Sequence, residues 1–279
     1  MGANMRIKLL VFTSSLLLFS NSSAGIPQNP SSTTTSSQTT VQRDSLATNA
    51  VQAAIVAQGS PAAIGAINNA IVQGTIVPAQ SSTVDAGNFK WESDFTGSSY
   101  EFRSEMQIGG TTRVFATGHG NPAFYNGKTA RPLFSHVAYA SVPWHLPAIV
   151  LFRELNDPSR SLQFVGVTSI NGSQVAHIRT QVTTGPIETE LSVHDWYFNP
   201  STGLPVRVEY RTPSTLDMRD NKPAAADFSN YQIINGIAVP FTIVASESGQ
   251  VVSSATISSI AFNTSLAPSD FDLLVGSAQ

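Results

Sequence analysis

Residues 227–272 read D-F-S-N-Y-Q-I-I-N-G-I-A-V-P-F-T-I-V-A-S-E-S-G-Q-V-V-S-S-A-T-I-S-S-I-A-F-N-T-S-L-A-P-S-D-F-D, and their punctuation decides the fold. Asn235-Gly236 and Ser248-Gly249 separate three runs rich in Ile, Val, Phe and Thr. Asn-Gly is a strong hairpin signal because a type I′ turn needs positive φ at both central residues, which Asn tolerates and Gly adopts without strain. The three runs therefore predict an antiparallel meander. In the middle run Ile237, Val239, Phe241, Ile243 and Ala245 share one parity, and Ala238, Pro240, Thr242, Val244 and Ser246 share the other. That alternation predicts a sheet with one buried and one wet face. Pro240 has no N–H, so the strand lies at an edge or carries a bulge there. The parity shift between Ile257 and the pair Ile260 and Phe262 predicts a second bulge.

Working outward, 279 residues with 41% hydrophobic and 12% charged side chains have room for one large core or two small ones, and one is expected. A net charge of -3 offers no basic stripe for phosphates, which argues against nucleic acid as a partner. The 19 Gly and 16 Pro are the punctuation of many short strands. Arg6 and Lys8 precede an apolar run from Leu9 to Phe19, followed by Ser20–Ser23 and Ala24. Residues 1–24 therefore read as a signal peptide cleaved before Gly25. The run would cross only about half of a bilayer core, and no other run is long enough to span, so no stable membrane span is expected after cleavage. Without cysteine there is no disulfide scaffold and no site for lipid attachment. A periplasmic or otherwise exported soluble protein of a bacterial envelope is expected; in a eukaryotic host Asn171 and Asn263 would be glycosylation acceptors.

Residues 25–43 form a Ser/Thr-rich linker with nothing to bury against the entropy of ordering, and residues 44–279 form the domain. Asp44 or Ser45 caps a helix with Leu46, Val51, Ala54, Ile55 and Val56 on its apolar side, stopped at Gly59-Ser60-Pro61. A short helix from Pro61 to about Asn69 turns Ile64 and Ile67 inward. Strands are predicted over 71–78, 88–95, 99–108 and 111–117. Between Arg131 and Asn156, Leu133, Phe134 and Val137 are spaced for one helix and Ala148–Leu155 for another, both too apolar for a surface. Strands resume over 162–170, 174–182, 188–198 and 204–211, and a long polar loop over 212–226 leads into the meander. The prediction is a β-dominated α+β fold: a single strongly curved antiparallel sheet of about ten or eleven strands, a half-barrel, with helices covering its concave face.

At this level of detail the chain resembles the superfamily of LolA-like and LppX-like periplasmic lipoprotein and lipid carriers. The resemblance rests on the segment Ala53–Ile67 with Gln73-Gly74-Thr75, the strands around Phe89-Lys90-Trp91 and Tyr100–Arg103, and the Tyr125–Lys128 step. It continues through the Asn199–Pro205 corner and Asp227–Phe241 with its Val239-Pro240-Phe241. The linker and the loop over 212–226 are longer than a compact carrier needs, and Arg103 is the candidate for the arginine that holds a carrier's lid shut. The resemblance implies reversible binding of an acyl chain under a helical lid, without chemistry, and a lipid or acylated lipoprotein as partner. Phe89, Trp91, Tyr100, Phe102, Met106, Tyr210, Phe241 and Phe262 are the candidate lining. Leu133, Phe134, Val137, Trp144, Ile149 and Phe152 are the candidate lid.

Enzyme signatures are missing. His119, His136, His145, His177 and His194 sit in no H-E-x-x-H, and there is no G-x-S-x-G or Walker pattern. His194 and Asp195 are neighbours in a strand and point to opposite faces. Glu101, Arg103 and Glu105 share one face, as in a cross-strand ion ladder on the wet side. Asp217, Asp220 and Asp227 lack the spacing of a calcium loop. No metal, no cofactor and no catalytic residue is expected. The competing expectation is an envelope protein-protein interaction module whose concave face is filled by its own helices; a hollow or a filled interior separates the two.

Overall fold

The computed structural model describes residues 41–79, 86–183, 185–214 and 220–273; the signal segment, almost all of the linker and Asp217 lie outside them. Helix α1, Ser45–Gln58, is capped by the Asp44 side chain, which accepts from Leu46 N, and it ends at Gly59. Its buried residues are Ala47, Val51, Ala54, Ile55 and Gln58. Leu46 and Val56, expected on that face, are exposed, because the helix meets the sheet along the narrower Ala47–Val51–Ala54–Ile55 stripe. Ser60 caps α2, Pro61–Gly65. Strands β1 (Asn69–Pro78), β2 (Gly87–Asp94), β3 (Glu101–Ile108) and β4 (Thr111–Ala116) follow, then the short β5 (Ala123–Tyr125) and β6 (Ala130–Pro132). Helices α3 (Ser135–Tyr139) and α4 (Pro147–Asn156) interrupt the strands. Next come β7 (Arg160–Ile170), β8 (Ser173–Val182), α5 (Pro186–Leu191), β9 (His194–Phe198), β10 (Pro205–Pro213), β11 (Asn221–Ile234), β12 (Ile237–Glu247) and β13 (Gln250–Phe262).

All thirteen strands lie in one sheet of order β6-β5-β4-β3-β2-β1-β13-β12-β11-β10-β9-β8-β7, and every pairing is antiparallel. The count exceeds the expected ten or eleven because β5 and β6 are three-residue pieces, too short to show a period. The segment expected as a strand over 188–198 is instead α5 followed by β9; Pro186 at an early helical position and Glu188 in the first turn start that helix. The polar loop expected over 212–226 is largely strand, since β10 and β11 pair as far as Pro213 opposite Asn221.

The meander behaves as its turns dictate. Asn235 and Gly236 have φ of 51° and 80°. The expected bulge in β13 falls at Ser258: Gln73 pairs with Ser259 but Gly74 with Ile257. Pro240 sits where β12 lacks its β13 neighbour, for that ladder begins at Thr242, so its missing N–H costs no bond. Over Ile237–Phe241 both parities are buried, and the expected alternation survives only around Thr242, Ile243 and Val244. On the second face Tyr231 stands opposite Pro240 and its hydroxyl donates to Pro205 O at 2.7 Å.

Register carries one apolar row across the sheet. Phe164, Ile178, Trp196, Val208, Ala226 and Ala245 are successive cross-strand partners; Phe228, Ile243, Ala255 and Ile76 continue one step along. Ile257, Gly74, Phe89 and Met106 carry it to β3. Gly74 is required there, since a Cβ would lie 2.1 Å from Thr256 O and 2.8 Å from the Phe89 ring. The adjacent residues Arg153 and Glu154 of α4 bond to the end of β2 and to β8 and β9 respectively. Strands β2 and β9 are six places apart in the sheet, about 29 Å if it were flat at the usual strand spacing. The sheet must therefore curl around the helices.

Candidate functional site

Helix α4 starts with Pro147 at an early helical position and buries Ala148, Ile149, Val150 and Leu151, as its apolar run requires. Near its end two charged residues fasten it to opposite wings. Arg153 donates to Phe95 O at 2.6 Å, Gly97 O at 2.6 Å and Ser98 O at 3.0 Å, and its guanidinium lies 4.6 Å over the Tyr100 ring. The Glu154 carboxylate is buried at 3% exposure. Its Oε2 accepts from Thr180 Oγ1 at 3.0 Å and Trp196 Nε1 at 2.9 Å, and its Oε1 pairs with His194 Nδ1. Arg160 Nη1 lies 3.6 Å from the same Oε1 and also donates to Ser192 O at 2.9 Å. From the N-terminal side Arg43 donates to Leu155 O at 2.7 Å.

Burial opposes the charge on Glu154, but Arg160 and the hydrogen bonds from His194 and Thr180 outweigh it and hold the pKa down to about 2. Burial dominates at His194, lowers its pKa against the pull of Glu154, and keeps the ring neutral. An ionised carboxylate only accepts, so Nδ1 of the neutral ring carries the proton and donates it. Nε2 is then the lone-pair nitrogen, and no described residue partners it.

The segment 133–146 crosses the open side of the trough differently. Trp144 stacks on Tyr210 at 4.5 Å and meets Trp196 edge-on at 5.9 Å and His194 at 4.7 Å. The next residue, His145, lies 4.9 Å from the Trp91 ring and 5.9 Å from Phe102. One dipeptide thus touches both wings through rings. His145 is buried with no partner for Nε2 among the described residues, and burial drives its pKa down to about 3.

Beneath α3 lies a cavity of about 830 Å³. Tyr100, Ala138, Val142, Val182, Leu191 and Leu266 give it apolar walls. Its polar walls include Asp94, Glu101, Asp157, the Glu154–His194 pair, and the hydroxyls of Ser98, Ser99 and Ser135. It extends from the sheet's end down to the buried network.

Of the candidate lining residues, Phe89 and Phe241 are buried in the core, while Trp91, Met106, Tyr210 and Phe262 pack against it half-buried. Phe102 faces Phe115 and His145. Tyr100 precedes β3, meets Phe95 edge-on, and is the one candidate lining residue in the cavity wall. Of the candidate lid, Ile149 and Phe152 belong to the fastened α4, with Phe152 against Gly65. Leu133 and Phe134 precede α3, Val137 lies within it, and Phe134 is exposed. Arg103 takes part in the ion ladder expected from its parity, 3.6 Å from Glu92 and 3.4 Å from Glu105. His194 and Asp195 do point apart: Asp195 binds His177 at 2.6 Å and Arg179 at 2.9 Å. The sequence reading missed Glu154, Arg160 and Thr180. The usable signal was a lone carboxylate in the apolar run Pro147–Leu155.

No protein-family model matches the chain, and no curated protein matches it. Solved structures similar to it include a DUF1329 family protein from Desulfovibrio piger, at 14% identity over 81% of this chain and 97% of that one, TM-score 0.49. A LolA superfamily protein from Nitrosomonas europaea is similar at 12% identity over 81% and 97%, TM-score 0.49. Lipoprotein LppX from Mycobacterium tuberculosis is similar at 9% over 80% and 98%, TM-score 0.31. The superfamily that the sequence resembles is thus represented among them. At such identities and TM-scores no residue role carries over, and function is read from the site itself.

Proposed function

We propose that this chain is an exported envelope protein that binds and releases the acyl chain of a lipid or lipoprotein between its curled sheet and the segment 133–146, without chemistry. The observation that carries the reading is the contrast between the two bridges. Helix α4 is locked to both wings by charged hydrogen bonds, whereas among the described residues the Trp144 and His145 side chains meet Tyr210, Trp196, Trp91 and Phe102 through stacked, tilted and edge-on ring contacts. Ring pairs contribute about 0.5–1.5 kcal/mol each beyond their area. An acyl chain of about fourteen carbons gains on the order of 10 kcal/mol gross, enough to displace the dipeptide and occupy the same aromatic surface. In this reading Phe89, Trp91, Tyr100, Phe102, Met106, Tyr210, Phe241 and Phe262 line the path. The lid is the segment carrying Leu133, Phe134, Val137 and Trp144, with Ile149 and Phe152 as its fixed floor.

The filled state of that surface also supports a second reading, an interaction module whose interior needs no ligand. Native mass spectrometry of protein taken from its own envelope, before and after solvent extraction, separates the two. Adducts of lipid mass that disappear on extraction are expected. Bare polypeptide mass, with no later uptake of a fluorescent fatty acid, would leave only the interaction module.

A further inference from the structure

Building on that reading, we infer that the cavity of about 830 Å³ beneath α3 holds an uncharged, hydroxyl-rich head group, a sugar or polyol, on the apolar chain that the trough takes up. Its volume lies in the range of sites that enclose a small ligand. The polar wall is rich in acceptors. Asp94 and Asp157 each spend Oδ1 on their own turns, on Thr96 and Ser159, which leaves the second oxygen of each without a bond among the described residues. Glu101 at the rim meets, among the described residues, only His119, whose backbone N–H donates to Oε1 at 3.3 Å and whose Nδ1 lies 3.4 Å away. His194 adds a lone pair at Nε2, because Glu154 fixes the proton on Nδ1. The hydroxyls of Ser98, Ser99 and Ser135 make no hydrogen bond among the described residues and serve either way.

Cations are scarce in this wall. Among the described residues Arg160 is its one arginine and no lysine joins it; the Arg160 Nη1 is committed to Glu154, Thr180 and Ser192, and its Nε is buried out of reach with no described partner. A phosphate or sulfate would meet Asp94, Glu101 and Asp157 beside a single guanidinium already paired with Glu154, which costs affinity. A group that brings many donors and no negative charge satisfies the wall instead, and a sugar does so with vicinal hydroxyls. An ammonium head group is the competitor, since it too suits carboxylates; yet it leaves the serine hydroxyls and the ring nitrogen poorly used.

The test measures binding of decyl maltoside, decyl sulfate and decyltrimethylammonium to the full chain by calorimetry, each below its micelle concentration. Decyl maltoside is expected to bind about tenfold or more tightly than either charged head, the worth of one or two unmatched hydrogen bonds. Equal affinities would overturn the head-group site while leaving chain binding intact; preference for the ammonium would make the cavity a cation site and overturn it also. No binding of any of the three would remove the carrier reading itself. Ser98→Ala/Ser99→Ala, in the wall and outside the buried network, should cut the maltoside preference several-fold; an unchanged preference would overturn the head-group site. Glu101→Lys, at the rim and outside the buried network, should raise decyl sulfate affinity several-fold; no change there would place the head group elsewhere.

Discussion

Replacing Glu154 with leucine tests the hinge of the whole arrangement. The substitution removes one buried carboxylate and strands four donors that the fold has aimed at it: Thr180 Oγ1, Trp196 Nε1, His194 Nδ1 and the Arg160 guanidinium. Breaking one side of a buried pair costs about 3–5 kcal/mol, a large part of the stability of any single domain. Urea unfolding at pH 7 reads the loss, with tryptophan fluorescence as the signal because Trp196 donates to the carboxylate and Trp144 packs beside it. The double variant Glu154→Leu/Arg160→Met should recover part of it, since the stranded charge is gone. Acid provides an independent check. The carboxyl is held at about 2 against an ordinary 4.5, a depressed value, so its stabilisation is complete above pH 4.5 and is lost as pH falls through 2. The difference corresponds to about 3 kcal/mol. Native protein should therefore lose that much more than Glu154→Leu between pH 4.5 and 2. A variant within about 1 kcal/mol of native at pH 7, or one whose acid curve runs parallel to native, would refute the claim that this carboxylate clamps α4 to the sheet.

Four further outcomes follow from the same geometry. His145→Phe should flatten the stability profile between pH 6.5 and 3: the ring's pKa is lowered to about 3 by burial, so native stability falls as pH drops below 6.5, by about 2 kcal/mol at pH 5, and urea midpoints across that window measure it. Trp144→Ala should cost about 3–5 kcal/mol and speed the exchange of a fluorescent fatty acid in stopped flow, whereas an unchanged rate would remove Trp144 from the lid. Arg153→Ala should raise hydrogen exchange in residues 95–101 before it does so in β8 or β9, because the three carbonyls it binds lie in that turn. Gly74→Ala should abolish soluble expression or cost more than about 4 kcal/mol, since the new Cβ meets backbone at 2.1 Å.

Much of the fold was legible because its cues are local. Asn235-Gly236 fixed a turn by φ alone, and the parity break after Ile257 located the bulge that register places at Ser258. Asp44 and Pro61 announced their helices. The failures share a cause. Glu188–Phe198 was read as one strand although Pro186 begins a helix there, because apolar alternation over Val193–Phe198 masked a cap signal a few residues earlier. β5 and β6 have three residues each, and a period of two cannot show itself in three positions. The Glu154 network was invisible for a deeper reason: β7, β8 and β9 are paired neighbours, with Thr180 opposite His194, but only tertiary packing decides that α4 lands its carboxylate on them. A lone carboxylate in an apolar helix states that a partner exists, but sequence does not say which one.

The curl of the sheet bears on the proposed lid, in which one cover would move while another stays. Both bridges cross the trough through two adjacent residues, Trp144-His145 and Arg153-Glu154, so strand spacing constrains them alike. They differ in what opening would strand. Withdrawing Arg153 and Glu154 exposes a guanidinium, a carboxylate and their donors at once, and each unpaired group costs several kcal/mol in a dry interior. Withdrawing Trp144 and His145 strands no hydrogen bond that a described residue supplies to the His145 ring; it uncovers aromatic faces, and an apolar chain restores what was lost at about 0.8 kcal/mol per methylene. Under the carrier proposal the ionic bridge would set the shape of the trough, the aromatic bridge its occupancy, and a ligand would compete with the second without disturbing the first.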